Sequence, residues 1–145
     1  MRDGGRIRLH FRNSDTSGHG PLSIVRSSVR KSELDALIDH ISKQVPNART
    51  VVGCSWLYSI EAYRRLFPPS YLDTATPAPL KELKYYGNWG QFLNHEGEVK
   101  RDLVDQFLHS INAPEVEAFS DLQRAFPCPI LALEAPLSVF LQFYE

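Results

Sequence analysis

Three groups of side chains in this 145-residue chain have types and spacings that can do chemistry. The first is Gly53-Cys54-Ser55-Trp56, where the apolar run Val51-Val52 gives way to a helical pattern that Pro68-Pro69 stops. A nucleophile at a strand-to-helix handover gains from the helix N-terminus, whose unpaired N–H groups lower a thiol pKa and hold an oxyanion. Cys54 and Ser55 are therefore candidate catalytic nucleophiles, with His10 the first choice of base. The stretch is not a G-x-S-x-G elbow, because Trp56 and Leu57 stand where that turn takes small residues. No Arg follows Cys54 at the spacing of a phosphate-cradling thiolate loop. The competing role for the pair is structural: a buried, inert thiol beside a capping serine. Trp56 is then expected to be a buried keystone of the pivot.

The second group is Arg6, Arg8, His10 and Arg12, alternating with Ile7, Leu9 and Phe11. A period of two predicts a half-buried strand over 6–12 with one basic face. Arginine forks on that face suit phosphate or carboxylate, and a solvated strand face is the plainer alternative. The third group is aromatic: Trp56, Tyr85, Tyr86 and Trp89 offer walls for a ligand ring, or simply packing. None of the five histidines forms an i, i+4 pair on a helix, so no metal site is expected. There is no G-x-G-x-x-G or Walker loop, and no cofactor is expected.

Positioning these groups falls to a short series of elements. Residues 13–21 read as a surface loop rich in turn formers, with a short extended segment through Leu22, Ile24 and Val25. Ser32 is placed to cap a helix whose stripe is Leu34, Leu37, Ile38, Ile41 and Val45, ended by Pro46-Asn47. A strand over 49–53 follows, which makes a βαβ-like unit with the first strand. Ser59 is placed to cap the pivot's own helix, with Ile60, Tyr63, Leu66 and Phe67 inward. The four prolines within 68–80 predict a loop. The segment 80–94 is ambiguous: Tyr85, Tyr86, Trp89 and Phe92 suit strands, while Gly87 and Gly90 suggest a bend or bulge. Helices are expected over 98–111 and after Pro114 to Phe126, a strand over 130–133, and a last helix begun at Pro136.

Composition bounds the class. Hydrophobic residues at 43% and charged residues at 23% argue for a packed domain over disorder. No apolar run approaches the roughly 18 residues of a membrane span, and the N-terminus has no secretory h-region. With only Cys54 and Cys128, a disulfide framework is excluded and reduced thiols in a cytoplasmic protein are expected. The net charge of −1 argues against a duplex nucleic-acid binder. It is unevenly spread: residues 1–31 hold seven basic against two acidic side chains, and residues 94–145 three against nine. That asymmetry either steers an anion to the N-terminal third or is neutralised within the chain.

The strings LHF (9–11), GPLS (20–23), CSWL (54–57), RRLFPPS (64–70) and LQRA (122–125) resemble, in order, signposts of the C-terminal domain of GNAT-like bacterial acyltransferases. In those proteins a CSWLL-like segment follows a helix and precedes a proline-containing loop. The acetyltransferase half and its acyl-CoA pyrophosphate loop have no counterpart here. The run SWLY-x-x-x-AYRRLFP (55–68) is also similar to one in small bacterial proteins. Neither resemblance transfers an activity.

The expected fold is one α/β (α+β) domain over 1–145, with a short mixed sheet and about four or five helices. The expected function is that of a binding or accessory module for an anionic small molecule or a protein partner. Arg6, Arg8 and Arg12 supply charge, and Trp56, Tyr85 and Trp89 supply walls. The alternative is an acyl-transfer or hydrolase enzyme using Cys54 or Ser55 with His10. A purely structural interaction protein, marked by an exposed aromatic patch, is the third class. The oligomeric state is not encoded in any of these patterns.

Overall fold

The computed structural model describes residues 4–12, 18–79, 81–82, 86–113 and 119–145. Four strands form one mixed sheet among these residues: β1 (Arg6–Arg8), β2 (Thr50–Ser55), β3 (Thr76–Pro77) and β4 (Leu131–Pro136). Their order is β1-β2-β4-β3, with β1 and β2 parallel and the other pairs antiparallel. The helices are α1 (Ser27–Gln44), α2 (Glu61–Arg64), α3 (Pro69–Leu72), α4 (Arg101–Ile111), α5 (Phe119–Ala125) and α6 (Leu137–Tyr144). The fold is thus a compact α+β arrangement, as the alternating patterns predict.

β1, α1 and β2 form the expected parallel unit. Gly5 makes the sharp entry into β1. Its φ of +83° is open to glycine, and an added Cβ would lie 2.1 Å from the Asn47 carbonyl oxygen. The predicted alternation holds as far as Arg12: Ile7, Leu9 and Phe11 pack on the core, and Arg6, Arg8, His10 and Arg12 are exposed. Pairing is shorter than the pattern. Past Arg8 only the Leu9 N–H reaches β2, bonding the Val52 carbonyl at 3.0 Å.

The main core fills one side of the sheet. Val51, Leu133 and Ala135 meet Ile38 and Ile41 of α1 and Leu137 and Phe140 of α6, and Tyr58, Tyr63, Phe67 and Tyr71 complete it. A separate aromatic cluster joins Phe92, Phe107 and Phe126, with Trp89 edge-on to Phe107 and Phe126.

Several expectations are corrected. α1 begins at Ser27, so Ser32 is no cap; its Oγ donates to the Ser28 carbonyl within the helix. The helix extends back because residues 24–26 form a 3-10 turn that runs into it, where an extended segment was expected. Leu37 and Val45 leave the stripe and stay exposed, because only Ile38 and Ile41 face the sheet closely. The pivot helix is broken into a 3-10 turn, Trp56–Ser59, and α2. Ser59 is no cap either, since its Oγ donates to the Pro129 carbonyl at 2.8 Å. The proline loop holds α3, opened by Pro69, and β3. The ambiguous stretch forms a 3-10 helix over Tyr86–Phe92, with no strand there. α4 starts at Arg101 because Val99 is instead bridged to Leu93.

Candidate functional site

β1 and β2 run parallel, and a cleft of about 950 Å³ opens beyond their carboxyl ends. Crevices at that end of a parallel pair are common ligand sites, because the chain leaves the sheet there and its loops diverge. One wall is residues 8–11 and another is residues 54–58, each continuing directly from its strand. Ile60, Ala62 and Tyr63 come from the α2 turn, and Gly87, Asn88, Gly90, Leu93, Asn94 and His95 form the facing rim. The walls are mostly apolar and aromatic: Phe11, Trp56, Leu57, Tyr58, Tyr63 and Leu93. Arg8, His10, Glu82, Asn88, His95 and Lys100 add polar groups.

Cys54, Ser55, His10, Arg8 and Trp56 therefore share one cleft. The Ser55 hydroxyl accepts the Leu57 N–H at 3.1 Å and caps the 3-10 turn. Cys54 is half-buried, and no hydrogen bond joins its thiol to His10. Burial pushes the thiol pKa up, the Glu82 charge adds to the rise, and the Arg8 guanidinium opposes it. This is the reverse of an activated nucleophile.

Trp56 is half-buried, where a sealed indole was expected. Its body packs beside Ala78 and Ile130, and its Nε1–H donates to the Gly87 carbonyl at 3.0 Å. It is wall and strut together, holding the facing rim at a set distance from β2.

The basic strand face is largely paired within the chain. Arg6 donates to the Glu134 carboxylate at 2.6 Å, and Arg8 to that of Glu82 at 3.3 Å. Arg12 is exposed and lines neither this cleft nor the groove described next. Trp89 belongs to the aromatic cluster with Phe107 and Phe126, away from the cleft lining. Tyr85 lies outside the described residues.

A second cavity of about 770 Å³ lies on the sheet face opposite the core. It is lined by Arg6, Arg8, Lys81, Glu82, Glu134, Thr74 and Thr76. Arg8, Cys54 and Glu82 border both cavities.

Glu82 and Lys100 are the site residues that sequence patterns miss. Glu82 is buried, and its backbone is anchored by the Asn88 side-chain amide, which donates to the Glu82 carbonyl at 2.7 Å. Asn88 in turn accepts, through its own carbonyl, from buried Gln91 at 3.0 Å, and Gln91 Oε1 accepts the Cys128 N–H at 2.8 Å. No hydrophobic period surrounds Glu82, so nothing local marks it as an inward carboxylate. Lys100 reaches back to the Gln91 carbonyl at 3.3 Å.

Among the described residues, no three His, Cys, Asp or Glu side chains converge to hold a metal ion. No described helix is long and apolar enough to cross a membrane. No family model matches the chain, and no match is found to a curated protein or to a solved structure.

Proposed function

We propose that this chain is a binding module that holds a small organic acid in the cleft beyond β1 and β2. The observation carrying this reading is the cleft's composition: aromatic walls with Arg8 and Lys100 as cationic groups and His10 as a polar group on the lining. Apolar walls of this extent bury a ligand body, and a few placed charges orient its acidic end. A module, rather than an enzyme, is favoured by the state of the candidate nucleophiles. Ser55 Oγ accepts the Leu57 N–H as a cap and has no hydrogen bond to a histidine base among the described residues, and Cys54 is held toward the thiol. An acyl-transfer role would need the opposite arrangement at both atoms.

The test is a titration with 3-phenylpropanoate and its uncharged analogue 3-phenylpropanol, followed at the Trp56 indole N–H signal by NMR. Trp89→Phe assigns that signal by removing the other indole. The acid is expected to shift the signal saturably and to bind about tenfold or more tighter than the alcohol, one cation contact's worth. Leu93→Glu, on a wall residue that is 40% exposed, should abolish binding without unfolding the protein. No saturable shift, or equal affinities for acid and alcohol, overturns the reading.

A further inference from the structure

The Arg8–Glu82 pair stands where the apolar cleft meets the polar groove of the open sheet face. We infer that this pair is the head-group site for a zwitterion, an α-amino acid with a large apolar side chain. The inference rests on the cleft reading above and names the ligand class.

The two partners are unequal. Arg8 is 45% exposed, whereas the Glu82 side chain is 10% exposed and joined to Arg8 by one contact of 3.3 Å. A simple carboxylate that takes Arg8 leaves Glu82 a nearly buried charge with its cation shared or lost. It also brings a second negative charge beside it. A simple amine that takes Glu82 sets a second positive charge beside Arg8, although water still reaches that half-exposed guanidinium. A ligand with both charges on one carbon replaces one ion pair by two. Its carboxylate meets Arg8, its ammonium meets Glu82, and every charge stays compensated.

The surroundings fit the same division. On the cleft side of the pair lie Phe11, Trp56 and Tyr63 for the side chain. On the groove side lie Lys81, Thr74 and Thr76, polar groups that keep the head hydrated. Glu134 sits opposite Val52, which sits opposite Arg8, yet Glu134 bonds Arg6. Arg8 is thus left to Glu82 as its carboxylate partner, and the ligand has one pair to open, not a network.

The experiment is calorimetric titration of the full chain with L-phenylalanine, 3-phenylpropanoate and phenethylamine, which share a body and differ only in charge. Phenylalanine is expected to bind about tenfold or more tighter than either analogue. In Glu82→Gln the preference should collapse, with 3-phenylpropanoate gaining affinity because Arg8 is released. In Arg8→Gln, phenethylamine should gain instead, because Glu82 is released and the ligand's ammonium restores the lost cation. These crossed gains are not what a merely structural pair would produce. If 3-phenylpropanoate saturates the cleft but phenylalanine is not preferred, or the variants shift all three ligands alike, the zwitterion site is overturned while the cleft reading stands. If none of the three binds, both fall.

Discussion

Cys54 shows how a residue with reactive chemistry is restrained by its neighbours. Burial and the Glu82 charge keep the proton on the sulfur, and only Arg8 works the other way. Cys128 is also pushed up by burial, with Lys100 opposing. Alkylation of the native protein at neutral pH should therefore be slow at both thiols and fast only after unfolding in urea. Glu82→Gln should quicken modification of Cys54, and Arg8→Gln should slow it further, since each removes a charge of known sign. Mass spectrometry after timed iodoacetamide quenching reads both. Rapid modification of wild-type Cys54 ahead of Cys128 would restore the nucleophile reading.

At the scale of the element, β2 is shaped by what crosses over it. The Tyr58 and Tyr71 hydroxyls bond each other at 2.9 Å in the core, above Gly53. A Cβ on Gly53 would lie 2.2 Å from the Tyr58 oxygen and 2.3 Å from that of Tyr71. Both rings are locked by edge contacts, Tyr58 to Tyr63 at 5.1 Å and Tyr71 to Phe140 at 4.9 Å, so neither swings away freely. Gly53→Ala should cost about 1–3 kcal/mol or more by overpacking. Tyr58→Phe should not fully rescue it, because the ring carbon Cζ also stands 2.6 Å from the added methyl. Urea melts of the single and double variants check this; a Gly53→Ala midpoint equal to wild type would show that the tyrosine pair is loose.

Across the whole molecule, the tyrosines of the core set a limit on alkaline stability. Burial raises the pKa of Tyr58, Tyr63, Tyr71 and Tyr144, and charge repulsion between the tyrosines adds to the rise at each. Hydrogen bonding with Tyr58 offsets part of it at Tyr71, and hydrogen bonding with Tyr63 offsets part of it at Tyr58. Tyr144 also donates to the Leu66 carbonyl at 2.6 Å, tying α6 to the pivot. The native state keeps these protons above the ordinary tyrosine value near 10, while the unfolded chain releases them. Stability is therefore intact below about pH 10 and falls as pH rises beyond it. For Tyr58, Tyr63 and Tyr71 together the slope is roughly 4 kcal/mol per pH unit, steep against the ~5–15 kcal/mol that holds a domain. Thermal melts from pH 8 to 11.5 should show a sharp loss, with tyrosinate absorbance rising in step with unfolding. Flat stability to pH 11 would mean that water reaches the phenols.

Periodicity in the chain was enough to place the β1 alternation, the α1 crossover, the final strand-helix pair and the α+β class, because each is a local pattern repeated over several residues. The pivot at Cys54 was also legible, as a change of period. The fate of the charges was not. Arg6 and Glu134 lie 128 residues apart and Arg8 and Glu82 lie 74 apart, so no window of sequence contains either pair. The uneven charge along the chain hinted at self-neutralisation but named no partner. Likewise Trp56 was recognisable as important, yet only the facing rim, bonded through Gly87, makes it a half-exposed wall rather than a sealed core residue. Which carboxylate enters the cleft, and which arginine it claims, depends on the packing of segments distant in sequence. Local patterns carry no record of that.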